Sequence, residues 1–241
     1  MGAFRPFSPT HAAVLLLFAA ATALLIRYGR RHRGTPALLR LERCLGWTLL
    51  LLWIVGNGWW LLPSRFDPAR SLPLQVCDVT SLAAAVVLLA PLRFARAVLY
   101  FWGIGLSVQA LITPDLGGGV ATVAFWLFWI AHASAVAIAV YDVAARGFRP
   151  TWRDYWVAAA AAAAYLVVVL AVNVAFGFNY GYVGRAKPGQ PSLIDFLGPW
   201  PERVAVIAAL VAAVMALLAL PWELVRRGRA RAPSADVRPW V

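Results

Sequence analysis

The sequence predicts an all-α polytopic membrane protein with seven transmembrane helices, its N-terminus outside and its C-terminus in the cytoplasm. Three observations favour this class. The chain of 241 residues is 62% hydrophobic and 13% charged, whereas a soluble protein carries about a quarter charged residues. Its apolar residues form seven runs, each close to the roughly 20 residues that one membrane crossing needs. Its basic residues concentrate on one side of those runs, as the positive-inside rule requires.

A single transmembrane domain is expected over residues 1–225. Its predicted helices cover residues 7–26, 38–62, 72–90, 95–113, 121–144, 154–176 and 202–225. The first run could be taken for a signal peptide, but its basic cluster, Arg27 to Arg33, follows the apolar residues instead of preceding them. We therefore expect a first helix that is retained.

The basic residues fix the predicted orientation. With the N-terminus outside, 16 of the 22 basic residues fall on the cytoplasmic side and six on the outer side. The net charge of +12 is then explained by topology and by anionic lipid headgroups at the cytoplasmic face, and not by nucleic acid. Residues 226–241 are predicted to be a basic, disordered cytoplasmic tail. The many alanines and arginines suit a bacterial protein of the plasma membrane.

One predicted outer loop differs from the other connections. Residues 177–201 are rich in glycine, proline and aromatic residues, which excludes a continuous helix. Loops of this length and composition often form lids or mouths of binding sites, although a plain spacer between helices has the same pattern. Asn179, Tyr180 and Lys187 are its candidate binding residues.

The third predicted helix carries an unusual polar stripe. Leu74, Cys77, Asp78 and Ser81 follow the spacing i, i+3, i+4 and i+7, which places them on one helix face. An aspartate inside a bilayer costs a few kcal/mol, so it requires a partner or a function.

The predicted topology gathers most other intramembrane polar residues in the same outer half of the bundle. They indicate a polar cavity that opens to the outside. Besides the stripe, this set contains Asn57, Gln109, Asp115, His132 and Asn173.

Cys77 and His132 are the candidates for chemistry. A lone membrane cysteine is usually a small apolar residue, and an intramembrane histidine can simply bond between helices. Together they can instead act as nucleophile and base. Asp78 can orient His132 or can bond to Asn57 or Gln109. Any of these three side chains can orient the histidine or stabilise the oxyanion. A retinal protein would need a lysine in the bundle, and one His, one Cys and one Asp form a marginal zinc set, so we expect neither a metal nor a cofactor.

Four stretches in order resemble the transmembrane protein 164 / YwaF-like family. They are LPLQVCD at 72–78, WGIGLSVQALITPDL at 102–116, FWLFWIAH at 125–132, and residues 173–201. The resemblance covers about residues 40–225. It implies a multi-pass membrane protein, expected to have seven helices. It also implies a lipid acyltransferase whose cysteine and histidine match Cys77 and His132.

These observations together predict a membrane-embedded acyltransferase or transacylase that acts on phospholipids. Cys77 would carry the acyl group as a thioester and His132 would act as base. The alternative is a non-catalytic transporter or sensor that binds a small polar ligand in the outer-half cavity.

Overall fold

The computed structural model of the protein describes residues 4–114, 116, 118–185 and 193–231, and its regular structure there is entirely helical. The helical stretches are α1 (Pro9–Arg31), α2 (Pro36–Leu61), α3 (Val76–Leu89), α4 (Arg93–Val98), the π-helical segment (Leu99–Ile104), α5 (Val108–Ile112), α6 (Val123–Ala144), α7 (Trp152–Phe176) and α8 (Glu202–Arg231). If α4, the π-helical segment and α5 are counted as one interrupted helix, these residues form seven helices, as predicted. Five of the seven, namely α1, the α4–α5 stretch, α6, α7 and α8, are long and apolar enough to cross a membrane. The protein is a multi-pass membrane protein.

Arginines join the helices at one end of the bundle, which we call the arginine end. Arg30 of α1 donates to the carbonyl oxygen of the last residue of α6 at 2.9 Å. Arg93 at the start of α4 makes two bonds, of 2.8 and 2.6 Å, to the carboxylate of Asp154 at the start of α7. Arg226 of α8 donates to the Pro150 carbonyl oxygen just before α7, at 2.7 Å.

The opposite end, which we call the loop end, holds residues 62–75 and the described residues between α7 and α8. Here His11 at the start of α1 donates from Nε2 to the Leu111 carbonyl oxygen in α5, at 2.8 Å. Consecutive helices therefore run in opposite directions, and the charge distribution predicts that the loop end faces outside.

The centre of the bundle is formed by α3, the π-helical segment and α6. Their small and aromatic residues, among them Ala84, Phe101 and Ala135, are fully buried. Gly103 permits close contact here, because a Cβ at this position would lie 3.3 Å from the Ala135 carbonyl oxygen. The helix that carries the candidate cysteine is therefore held on one side by a tightly packed core.

Helix α3 is shorter than predicted, because it begins at Val76 and not at residue 72. Its 14 residues span about 21 Å at 1.5 Å per residue, less than the roughly 30 Å hydrocarbon core. Pro73 disfavours a helical conformation at the residue before it. Side chains also satisfy the backbone nearby: the Tyr180 hydroxyl accepts from Leu72 N–H at 3.0 Å. Hydropathy alone could not distinguish this apolar but non-helical segment from a helix.

Two helices extend farther at the arginine end than predicted. Helix α1 continues to Arg31, beyond the predicted end at 26, and α8 continues to Arg231, beyond the predicted end at 225. The prediction of a disordered tail from residue 226 is therefore wrong over 226–231. Arginines in these added turns donate hydrogen bonds to backbone carbonyl groups of neighbouring segments, as Arg30 does. A hydropathy pattern does not reveal such contacts. Residues 232–241 lie outside the described part of the chain.

Candidate active site

Cys77 lies in the first turn of α3, two residues after the N-cap residue Gln75. Its side chain is half-buried, and its thiol is free, as is that of the exposed Cys44 on α2. The Cys77 carbonyl oxygen accepts a bond of 3.1 Å from the Thr80 hydroxyl. Cys77 thus lies near the loop end of its helix, with a partly exposed side chain.

Asp78 caps the helix that carries the cysteine. Its Oδ2 accepts from the Gln75 backbone N–H at 2.9 Å, which satisfies one of the backbone donors at the start of α3. Its own carbonyl oxygen accepts from Trp53 Nε1 at 2.8 Å. Among the described residues, Asp78 makes no hydrogen bond to His132.

Ser81 connects the polar stripe of α3 to α6. It lies one turn after Cys77 on the same face, and its hydroxyl donates to the Ala131 carbonyl oxygen at 3.2 Å. Ala131 directly precedes His132. The face of α3 that bears Cys77 therefore contacts α6 at the turn that bears the histidine.

The imidazole of His132 is held by Phe128, one turn earlier in α6. The two rings stack at 4.1 Å with an interplanar angle of 29°, and His132 Nδ1 lies 2.8 Å from the Phe128 carbonyl oxygen. A carbonyl oxygen only accepts, so Nδ1 carries the hydrogen and Nε2 of the neutral ring carries the lone pair. No described residue hydrogen-bonds to Nε2.

The predicted loop residues Asn173, Asn179 and Tyr180 support the backbone near α7. The Asn173 amide pairs with both backbone groups of Tyr180, with Nδ2 donating and Oδ1 accepting, each at 2.8 Å. Asn179 Oδ1 accepts from Gly184 N–H at 2.9 Å. Burial raises the pKa of the Tyr180 phenol, which therefore keeps its proton as a donor.

Tyr180 and Gly181 bind the residues that lead into α3, and we call these contacts the Tyr180 clamp. The Tyr180 hydroxyl accepts from Leu72 N–H at 3.0 Å and donates to the Pro68 carbonyl oxygen at 2.7 Å. Gly181 N–H donates to Gln75 Oε1 at 3.0 Å. The segment after α7 is thereby attached to the N-cap of the cysteine helix.

Sequence reasoning missed two further contacts close to Cys77. The Tyr165 hydroxyl of α7 donates to the Leu74 carbonyl oxygen at 2.6 Å, and the buried hydroxyls of Thr80 and Ser107 lie 2.9 Å apart. Tyr165 could have been noticed, because residues 157–172 are otherwise only alanine, valine and leucine. The Thr80–Ser107 contact joins positions 27 residues apart, and no local pattern indicates it.

Two other predicted site residues make no hydrogen bond to the described residues of the candidate site, and two cannot be described. Asn57 Nδ2 donates within α2 to the Trp53 carbonyl oxygen at 2.9 Å, and the side chain of Gln109 is exposed on α5. Neither forms a hydrogen bond to Asp78 or His132 within the described ranges. Asp115 and Lys187 lie outside the described residues.

The groups that remain for chemistry are a thiol and an imidazole. A thiol can attack a carbonyl carbon once a base takes its proton, and a neutral imidazole nitrogen is such a base. Within the part of the chain that the structure describes, no group of three or more His, Cys, Asp or Glu side chains could hold a metal ion.

Comparison with known proteins supplies a family. A family model described as the TMEM164 family matches residues 6–219, which confirms the resemblance seen in the four sequence stretches. The matched region contains both Cys77 and His132. A search of curated proteins and a search of solved structures each gave no match.

Proposed function

Since this chain belongs to the TMEM164 family, we propose that it is a membrane-embedded acyltransferase or transacylase that moves a fatty acyl chain between phospholipids. It acts in a bacterial plasma membrane, with its loop end outside and its arginine end at the cytoplasmic face. Cys77 is the nucleophile and His132 is the base. Anionic headgroups meet the basic residues of the arginine end.

The bond between Ser81 and Ala131 is the observation that carries this proposal. It joins α3 to α6, and both helices run from the loop end toward the arginine end. Cys77 lies four residues before Ser81, about 6 Å nearer the loop end. The ring of His132 is directed the same way, because its Nδ1 bonds to the Phe128 carbonyl oxygen one turn earlier. Cys77 and His132 therefore lie on adjoining helices, and this arrangement supports the proton transfer that we propose between them.

The first half-reaction loads the acyl group. His132 Nε2 takes the Cys77 proton as the sulfur attacks the ester carbonyl carbon of the donor phospholipid. The carbon–sulfur bond forms, the bond from that carbon to the glycerol oxygen breaks, and the proton returns to the leaving oxygen. A lysophospholipid departs and Cys77 carries the acyl chain as a thioester.

The second half-reaction reverses these roles. His132 Nε2 takes the proton of the acceptor hydroxyl, whose oxygen attacks the thioester carbon. The new ester bond forms, the carbon–sulfur bond breaks, and the proton returns to sulfur. Throughout, Phe128 and its carbonyl group orient the ring, a task that the sequence suggested for Asp78, Asn57 or Gln109.

The lipid reaches Cys77 from the loop end. Residues 177–201 control this entry in our proposal, and the Tyr180 clamp supports that role because it attaches the described part of this segment to the N-cap of α3.

Purified wild-type protein and three variants test the proposal, with transfer measured from a phospholipid that carries a labelled acyl chain. We expect transfer to fall below detection in Cys77→Ala, and at least about a hundredfold in His132→Ala, because general-base catalysis contributes about 10²–10⁴-fold. Cys44→Ala is the matched control, since it removes the other free thiol, and it should retain full transfer.

Undiminished transfer in both Cys77→Ala and His132→Ala would end the proposal. Cys77→Ser separates it from the transporter or sensor alternative. If Cys77 only lines a ligand-binding cavity, the protein should tolerate this small change. If Cys77 carries the acyl group, the variant should lose most of its acyl transfer.

A further inference from the structure

A small cavity opens at the loop end beside the C-terminus of α7. It has a volume of about 240 Å³ and is lined by Asn173, Val174, Gly177, Gly184, Arg185 and Trp200. Pockets for drug-sized molecules usually measure about 300–1,000 Å³. This cavity is therefore suited to a small polar group and not to a whole lipid.

Arg185 supplies the charge of the cavity. Its guanidinium lies 4.9 Å from the centre of the Trp200 ring, and Trp200 is itself fixed by a bond of 3.1 Å from Nε1 to the Val183 carbonyl oxygen. In the described residues no carboxylate pairs with Arg185. A guanidinium held on an aromatic ring keeps its donors available for an anion, and its planar fork matches a phosphate group.

Two glycines line the cavity. At Gly184 a Cβ would lie 2.1 Å from the Phe178 carbonyl oxygen, so no other residue fits that backbone contact. Gly177 caps α7 in the left-handed conformation with φ of +69°, which glycine adopts at no steric cost. At these two positions the lining of the cavity has no side chain.

From this cavity and a guanidinium that pairs with no described carboxylate, we propose that the loop end carries a phosphate-binding site that holds the headgroup of a phospholipid. Arg185 binds the phosphate oxygens and Trp200 holds Arg185. The acyl chains of the bound lipid lie outside the cavity, along the apolar helices. This site does not depend on acyl transfer.

The cavity is distinct from the candidate active site. Asn173, on its wall, lies eight residues beyond Tyr165 in α7, about 12 Å nearer the loop end. The Tyr165 hydroxyl contacts the Leu74 carbonyl oxygen, three residues before Cys77. In this proposal the headgroup bound at Arg185 belongs to a lipid at the entrance.

Titration calorimetry on the purified full-length protein in detergent tests this site. The probes are dihexanoylphosphatidylglycerol, its phosphate-free counterpart dihexanoylglycerol, and inorganic phosphate. We expect Arg185→Gln to weaken phospholipid binding about tenfold, a loss of about 1.4 kcal/mol, and Arg185→Lys to retain most of the affinity. Arg65→Gln is the matched control, because Arg65 also lies over a tryptophan, at 4.2 Å from the Trp59 ring, yet does not line the cavity.

Unchanged phospholipid affinity in Arg185→Gln would overturn the proposal, as would an equal loss in Arg65→Gln or equally tight binding of dihexanoylglycerol. If inorganic phosphate binds as tightly as the phospholipid and shows the same loss in Arg185→Gln, the phosphate site stands and its ligand is the free ion. Binding is measured separately from acyl transfer, so a loss of phospholipid affinity in Arg185→Gln can be distinguished from a failure of the proposed acyl transfer.

Discussion

The Tyr180→Phe variant removes one hydroxyl that holds the segment leading into the cysteine helix. In the wild type this buried hydroxyl accepts from Leu72 N–H and donates to the Pro68 carbonyl oxygen. Each such bond contributes about 1 kcal/mol net, so the loss is about 2 kcal/mol. At 1.4 kcal/mol per tenfold, local opening of residues 68–75 should become about 30-fold more frequent. The Asn173 bonds to the Tyr180 backbone remain in the variant.

Hydrogen exchange followed by mass spectrometry measures this effect directly. The peptide that contains Leu72 should exchange about 30-fold faster in Tyr180→Phe, because local opening governs exchange of a protected amide. Acyl transfer should fall as well, since the same segment leads to Cys77. Tyr28→Phe is the control, because the Tyr28 hydroxyl on α1 makes no hydrogen bond to any described residue. Equal exchange at Leu72 in wild type and Tyr180→Phe would refute this account of the clamp.

Two further variants test the packing of the bundle. Arg96→Met should lower the free energy of unfolding by about 2 kcal/mol, because it removes a charged hydrogen bond of 2.7 Å to the buried Asp142 carboxylate and leaves Arg146, at 3.8 Å, as the remaining ion-pair partner. The same change at Arg70, in an exposed pair, should cost less than about 1 kcal/mol. Equal losses in a denaturation assay would contradict this view. Thr80→Val removes the hydroxyl contact with Ser107 and should reduce acyl transfer, whereas Thr80→Ser keeps a hydroxyl and should retain the activity. Equal acyl transfer in the two variants would argue against a positioning role for Thr80.

Hydropathy predicted the helices well because the length and the apolarity of a membrane-spanning run are local properties of the sequence. The seven runs reappear as seven helices, and α6 and α7 differ from their predicted bounds by two residues at the start and none at the end. The start of α3 was missed because contacts from distant tyrosines decide it. Residues 72–75 are apolar enough for a membrane helix, yet Tyr165 and Tyr180 bind their backbone groups from other parts of the chain.

The polar stripe was predictable for a similar reason. Helical spacing places Cys77 and Ser81 on one face, and Ser81 contacts α6 beside His132. The partners of Asp78 and His132 were not predictable, because both side chains bond to backbone groups. Asp78 accepts from Gln75 N–H and His132 donates to the Phe128 carbonyl oxygen. Backbone groups are available at every position, so sequence reasoning that seeks polar side chains as partners overlooks them.

The most direct test of the account is a search for the acyl-enzyme. Purified protein is mixed with a donor phospholipid in the absence of acceptor, quenched in acid, digested and examined by mass spectrometry. We predict a hydroxylamine-sensitive acyl group on the peptide that contains Cys77, retained in Cys44→Ala and lost in His132→Ala. Continued acyl transfer with no acyl group on Cys77, or an acyl group that forms only on Cys44, would contradict the account.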